Sequence, residues 1–249
     1  MAAIATLKLR TRSQTLELNS KDRREWRVKE IVREIPASQT ALLLCDVWDD
    51  HGCHSALSRL GDLLPKMEQA VSAAREKGLL IVHAPSDTMN FYKDHPARKR
   101  VLSTPKAPDP VSRPHDDPPL PVDDKDGGCD GSGNSHKVVW TRQNKGITID
   151  QERDVISDQG RELLNVYAER GIKTLLIAGV HTNMCVLHRS FAIKQMVRWG
   201  YEVYLLRDLT DALYNPASPP YVSYEEGFRL IVEFIEKFWC PSIHSGDLL

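Results

Sequence analysis

The sequence predicts an α/β fold of three layers, a mostly parallel central sheet with helices on both faces. Three observations carry this expectation. Apolar runs of strand length recur along the chain, as in ALLLCDV (41–47), LLIVHAP (79–85) and KTLLIAGV (173–180). They are continuous rather than alternating, which is how strands buried on both faces read. Between them lie helically spaced stretches that end at glycine, so strand and helix alternate as βαβ units.

Taken in order, residues 1–38 alternate early, in TLKLRTRSQTLEL, and suit an edge hairpin punctuated by Pro36. They form an N-terminal extension to a domain spanning 39–249. ALLLCDV is the first central strand and ends in an acid. LGDLLPKMEQAVSAAREKG (60–78) has helical spacing and a terminal glycine. LLIVHAP is the second strand, stopped by Pro85, and KVVWTR (137–142) is the third. SDQGRELLNVYAERG (157–171) opens on a capping serine and closes on glycine, a helix. KTLLIAGV, the helix CVLHRSFAIKQMVRWG (185–200), the strand YEVYLLRD (201–208) and the helix SYEEGFRLIVEFIEKFW (223–239) complete the pattern.

One segment breaks it. PKAPDPVSRPHDDPPLPVDDKDGGCDGSGNSH (105–136) is rich in Pro, Asp and Gly and cannot pack as a regular element. It is too long for an ordinary connection, so it is a disordered surface insertion or a functional lid. Its alternating carboxylates resemble a calcium loop, but the spacing and final glutamate of an EF-hand are missing.

The chain has 249 residues, 41% hydrophobic and 27% charged, with a formal net charge of -1. That balance favours neither nucleic acid nor an anionic membrane surface as a partner. Five scattered cysteines (Cys45, Cys53, Cys129, Cys185, Cys240) imply no disulfide framework and suggest a reducing compartment. The opening MAAIATLKLRTRSQ has too short an apolar run, broken by Lys8 and Arg10, for a signal peptide. No run reaches the roughly 18–20 apolar residues of a membrane span. A cytoplasmic protein is the expectation, with no cofactor and no metal.

Ligands of such sheets bind at the carboxyl ends of strands. Asp46, His83, Arg142 and the segment 181–185 sit at those ends by this assignment. Cys185 follows a strand, a glycine and a short turn, and it opens a helix, where free N–H groups and the dipole favour a thiolate. They also favour an oxyanion. Asp46, in LLLCDVWDDH, is a carboxylate that could take a thiol proton if burial raises its pKa. A cation from another strand end would stabilise developing charge. Arg142 and Lys145, in VVWTRQNKG, are the candidates. Each of these residues also has a plainer alternative, as core thiol, capping aspartate or surface cation.

The order of these pieces carries a resemblance. Asp after the first central strand, a basic residue after the middle strand, and then LLIAGVHTNMCVLHRSFAIKQMVRWGYEVYLLRDLTDA are similar to the isochorismatase-like cysteine hydrolases over roughly residues 40–212. That group includes nicotinamidases, N-carbamoylsarcosine amidases and ureidoacrylate amidases. The resemblance implies a three-layer Rossmann-like fold and hydrolysis of a small amide or carbamoyl C–N bond through a thioester on Cys185. Asp46 would accept the thiol proton. The Val180–His181 peptide would be cis, and the backbone N–H groups of His181 and Cys185 would form the oxyanion hole. It also implies a homo-oligomer, with the tail FWCPSIHSGDLL packing on a neighbouring subunit.

The sequence departs from the family pattern at several points. The usual lysine after the middle strand is replaced by Arg142, with Lys145 three residues on; either could complete the site. An arginine cannot shuttle protons, because its pKa stays above about 12. Trp48 and His51 stand where the family has glutamine and phenylalanine. The Asp-x-His metal spacing of nicotinamidases is absent from HAPSDTMNFYKDHPARKR, although Asp87 and His95 are present. Trp48, His51, His83, Tyr92 and Trp140 are expected around the pocket. Two alternatives remain: the vinyl-ether hydrolysis of isochorismatases, which usually lack the cysteine, and a non-catalytic binding or assembly protein.

Overall fold

In the computed structural model, which describes residues 5–249, the chain forms one sheet of eight strands. The first four residues of MAAIATLKLRTRSQ lie outside the described residues. In chain order the strands are β1 (Thr6–Leu18), β2 (Arg24–Pro36), β3 (Thr40–Cys45), β4 (Leu80–Ala84), β5 (Val155–Ile156), β6 (Thr174–Val180), β7 (Glu202–Asp211) and β8 (Ser242–Ile243). The helices are α1 (His54–Glu76), α2 (Met89–Tyr92), α3 (Pro96–Leu102), α4 (Gly160–Arg170), α5 (Cys185–His188), α6 (Ile193–Arg198) and α7 (Tyr224–Phe238). Strands β3 to β8 are mutually parallel in the order β8-β7-β6-β3-β4-β5. The β1–β2 hairpin extends the sheet antiparallel at the β8 edge, as its alternation predicts.

Both faces of the parallel strands are apolar, and successive side chains alternate between them. Leu42 and Leu44 pack under α1, with Met67, Ala70 and Val71. Ala41, Leu43 and Cys45 face the opposite layer, where Leu163 and Tyr167 of α4 and Ile231 and Ile235 of α7 cover them. The three layers follow directly from this. No helix among the described residues is long and apolar enough to cross a membrane.

Several local expectations are corrected. KVVWTR is not a strand. Val138 is 63% exposed there, and the place beside β4 is taken by β5, with Val82 opposite Val155. The irregular region therefore runs on to residue 154. Helix α1 begins six residues earlier than its spacing suggested, and α4 is entered from Gln159 without a side-chain cap. The helix expected over 185–200 is broken, because Arg189 adopts an extended conformation (φ -57°, ψ 153°) after α5. The tail supplies β8, which fills the slot between β7 and β1 within the same chain.

The expectation of unpaired cysteines is also corrected. Cys53, just before α1, forms a disulfide with Cys129 of the insertion. Spacing alone could not show this, since the partners are 76 residues apart. The insertion is fastened by its acids as well. Asp130 accepts from Ser55 and pairs with Arg59. Asp126 accepts from Gly128, Asn215 and Ser218. Asp117 pairs with Lys194 and Arg198. Asp130, Asp126 and Asp117 are thus engaged by the protein itself.

Beneath the irregular region lies a buried polar knot. His83 of β4 bonds Gln143 at 2.9 Å and Asp154 at 3.0 Å. Arg75 of α1 reaches the same carboxylate at 2.7 Å. Burial pushes the Asp154 pKa up, but the His83 and Arg75 bonds outweigh it and hold it at about 2. Such a depressed carboxyl contributes stability that is complete above its unfolded value of about 3.9 and is lost as pH falls through about 2. Asp154→Asn is expected to cost about 3 kcal/mol at pH 7, because it removes the carboxylate that pairs with buried His83 and half-buried Arg75. The difference from the unmodified chain should narrow as the pH is lowered from about 4 towards about 2. Urea unfolding of the two proteins across that range checks this; equal stability at neutral pH would contradict it.

Candidate active site

Asp46 follows the last residue of β3 and lies at the carboxyl edge of the sheet, fully buried. Its backbone has φ +51°, in the left-handed region that non-glycine residues rarely adopt. This turns the chain sharply at the strand end. The carboxylate accepts from the Ser86 N–H at 2.7 Å, just past β4, and from the Arg189 Nε at 2.9 Å. Burial raises its pKa above the usual carboxylate range, while Arg189 and Ser86 pull it back.

Cys185 opens α5 and is half-buried beside Asp46, towards which its thiol donates. The backbone N–H of His181 points at the sulfur. The Val180–His181 peptide is cis, as the resemblance implies. Gly179, one residue earlier, has φ +115°, and a Cβ there would stand 2.0 Å from the Cys45 carbonyl oxygen. Only glycine lets β6 lie this close to β3, which brings the turn carrying Cys185 up to Asp46.

The thiol is not activated by its helix. Helix α5 has only four residues. Burial first, and then the Asp46 charge, push the Cys185 pKa well above the ordinary thiol value, with Arg189 opposing them. The resting pair is therefore a neutral thiol against a carboxylate, in which the carboxylate is the base.

The cation paired with Asp46 is Arg189. Neither Arg142 nor Lys145 pairs with Asp46. Arg142 is exposed, lies 3.6 Å from Asp49 and stands over the Phe91 ring. Its backbone is held by Asp49, which also binds Thr141. Lys145 is exposed on the following turn. Arg142 ends the stretch that was expected to be a strand and Lys145 follows it, and without that strand nothing directs them inward. Arg189 had one sequence signal, its position four residues after Cys185, the spacing of neighbours on a helix face.

The expected pocket residues divide. Trp48, His51 and Trp140 line a cavity of about 200 Å³ with Cys185, His181 and Arg189. Trp48 and Trp140 stack at 4.0 Å, and His51 lies nearly parallel to both. His83 and Tyr92 are elsewhere. His83 is in the buried knot, and the Tyr92 hydroxyl accepts from the Gln143 N–H at 2.8 Å. Asn183 holds the turn: its amide donates to Leu213 O and Asp124, and its oxygen accepts from Leu213 N. Asp124, Gly127, Ser135 and His136 of the insertion complete the cavity wall. Among the described residues no group of three His, Cys, Asp or Glu side chains is placed to hold a metal ion.

Residues 147–218 match the family model of the isochorismatase domain. No curated protein matches the chain. Among solved structures it is similar to a cysteine hydrolase from Pseudomonas syringae pv. phaseolicola 1448A, 16% identical, with 86% of this chain and 92% of that one covered at a TM-score of 0.54. An isochorismatase from Pseudomonas putida KT2440 is 12% identical, with 86% and 91% covered at 0.49. The pyrazinamidase of Pyrococcus horikoshii in complex with zinc is 17% identical, with 78% and 94% covered at 0.42. The chain thus has the isochorismatase-like fold, and its 147–218 stretch is similar to the isochorismatase domain, in line with the resemblance drawn from the sequence.

The electrostatics of the pair can be tested without a substrate. Cys45 and Cys240 are buried, so iodoacetamide should label Cys185 first among the free thiols. Asp46→Asn removes a charge that raises the thiol pKa while Arg189 stays, so labelling at pH 8 should speed up by about tenfold. Peptide mapping of the alkylated protein reads this; slower labelling of the variant would contradict it.

Proposed function

We propose that this protein is a cysteine-dependent hydrolase of a small amide or carbamoyl C–N bond. The observation that supports it most is the meeting of three groups at one sheet edge: the half-buried Cys185 thiol, the buried Asp46 carboxylate and the Arg189 guanidinium bonded to it. The Cys185 sulfur attacks the substrate carbonyl carbon and its proton passes to Asp46. The oxyanion faces the backbone N–H groups of His181 and Cys185. Asp46 returns the proton to the leaving nitrogen as the C–N bond breaks. Water then attacks the thioester, Asp46 taking its proton, and the acid and free thiol are released.

Arg189 has a defined part in this cycle. It does not transfer protons; it keeps Asp46 ionised against the burial that favours the neutral acid. It takes the place expected of Arg142 or Lys145. The presence of Cys185 beside its base favours amide over vinyl-ether hydrolysis, and the complete set of groups favours catalysis over a purely binding role. The proposal includes a small-molecule substrate and a homo-oligomer, with no nucleic acid and no membrane as partner. It also includes a cytoplasmic location, against which the Cys53–Cys129 disulfide weighs, since such bonds persist best in oxidising compartments.

Hydrolysis of a panel of small primary amides and carbamoyl compounds tests the proposal. Cys185→Ala and Asp46→Asn are each expected to lower kcat by at least about a thousandfold. Arg189→Gln should move the acid limb of kcat/KM to higher pH, because Asp46 loses the cation that lowers its pKa. Turnover that survives Cys185→Ala would overturn the mechanism.

A further inference from the structure

Two hollows meet at Cys185. The narrower one, about 200 Å³, is walled by the stacked Trp48 and Trp140. The other is open, about 510 Å³, and is bordered by Leu120, Asn183 and His188. Asp124 and Cys185 border both. A substrate seated with its carbonyl at the sulfur therefore has the Asp124 carboxylate on the same lining.

The charges around these hollows are unequal. Arg189 is the one lysine or arginine on either lining among the described residues, and it is already engaged, by Asp46 at 2.9 Å and Asp87 at 3.5 Å. Burial holds His51 and His181 below the usual imidazole range, so both are neutral. Burial, with Lys194 adding to it, does the same for His188. Apart from the exposed His136, no group on either lining offers a substrate carboxylate an unengaged cation. Asp124, in contrast, is paired with no lysine or arginine among the described residues. Its one side-chain bond is from the Asn183 amide at 2.8 Å, which fixes the carboxylate and leaves acceptor capacity on it. The adjoining indole wall is the kind of surface on which a cationic nitrogen is also attracted by the ring faces.

We infer that the substrate of this site carries a cationic nitrogen, an ammonium or amidinium, held by Asp124 beside the Trp48–Trp140 wall while its carbonyl sits at Cys185. This rests on the hydrolase proposed above and goes beyond it by assigning the charge of the substrate and the residue that selects it.

Three amides of nearly one shape test the inference: β-alaninamide, butanamide and succinamate, bearing positive, neutral and negative tails. Their kcat/KM values should fall in that order, the first exceeding the second by about ten- to a hundredfold, as for a hydrogen bond to a charged group. In Asp124→Asn the ratio of the first two should fall towards one. A lead for succinamate, or a ratio unchanged by the substitution, would overturn the inference. A second readout needs no turnover. Cys185 should react with 2-aminoethyl methanethiosulfonate faster than with its 2-sulfonatoethyl analogue, by about tenfold more than a free small thiol does, and this excess should fall in Asp124→Asn, where Asp46 is unchanged. If the amides are not cleaved but this preference holds, the hydrolase proposal fails and the recognition by Asp124 stands. If the amides are cleaved with no preference for positive charge, the hydrolase stands and the inference fails.

Discussion

The site depends on keeping one carboxylate ionised where no water reaches it. Asp46 is fully buried, and a lone buried carboxylate would take up a proton rather than bear the cost of lost hydration. Two partners offset that cost, the Ser86 N–H from the neighbouring strand end and the Arg189 guanidinium from the break after α5. The resulting charge is what faces the Cys185 thiol. Each part of the fold near the site serves this placement: the sharp turn after β3, the glycine that lets β6 approach, and the early end of α5 that frees Arg189 to reach across.

The insertion has a second role. It does not fold as a regular element, yet it is tied down by the Cys53–Cys129 disulfide, by Asp130 on Arg59 and Ser55, and by Asp124 on Asn183. With it come the residues that close the cavity, Trp140 among them. Between the two possibilities open for this segment, a structured cover over the sheet edge fits better than a loose surface loop. The specificity of the site is therefore carried by the irregular part of the chain and its base and nucleophile by the regular part.

This division explains what could be read from the sequence. The strands ALLLCDV, LLIVHAP and KTLLIAGV stood out because both of their faces are buried, which leaves an uninterrupted apolar run. Asp46 and Cys185 stood out because they follow those runs. KVVWTR misled because three apolar residues in a loop resemble a short strand, and the error carried Arg142 and Lys145 with it. Arg189 was passed over because the segment around it looked like uninterrupted helix; its extended backbone precedes a close approach to the start of α4, where a Cβ on Gly160 would meet the Ser190 carbonyl at 1.9 Å. The disulfide and the acids of the insertion pair over separations of tens of residues, which local pattern does not encode.

The central claim is that Cys185 becomes acylated by the carbonyl of a small amide while Asp46 handles the proton. The most direct measurement is rapid acid quench of the protein during turnover of an accepted amide, followed by intact-mass and peptide mass spectrometry. An adduct equal to the substrate's acyl group on the peptide holding Cys185, lost on treatment with hydroxylamine and absent from Cys185→Ser, is the predicted result. Steady turnover with no adduct on Cys185, or an adduct on another residue, would contradict the account.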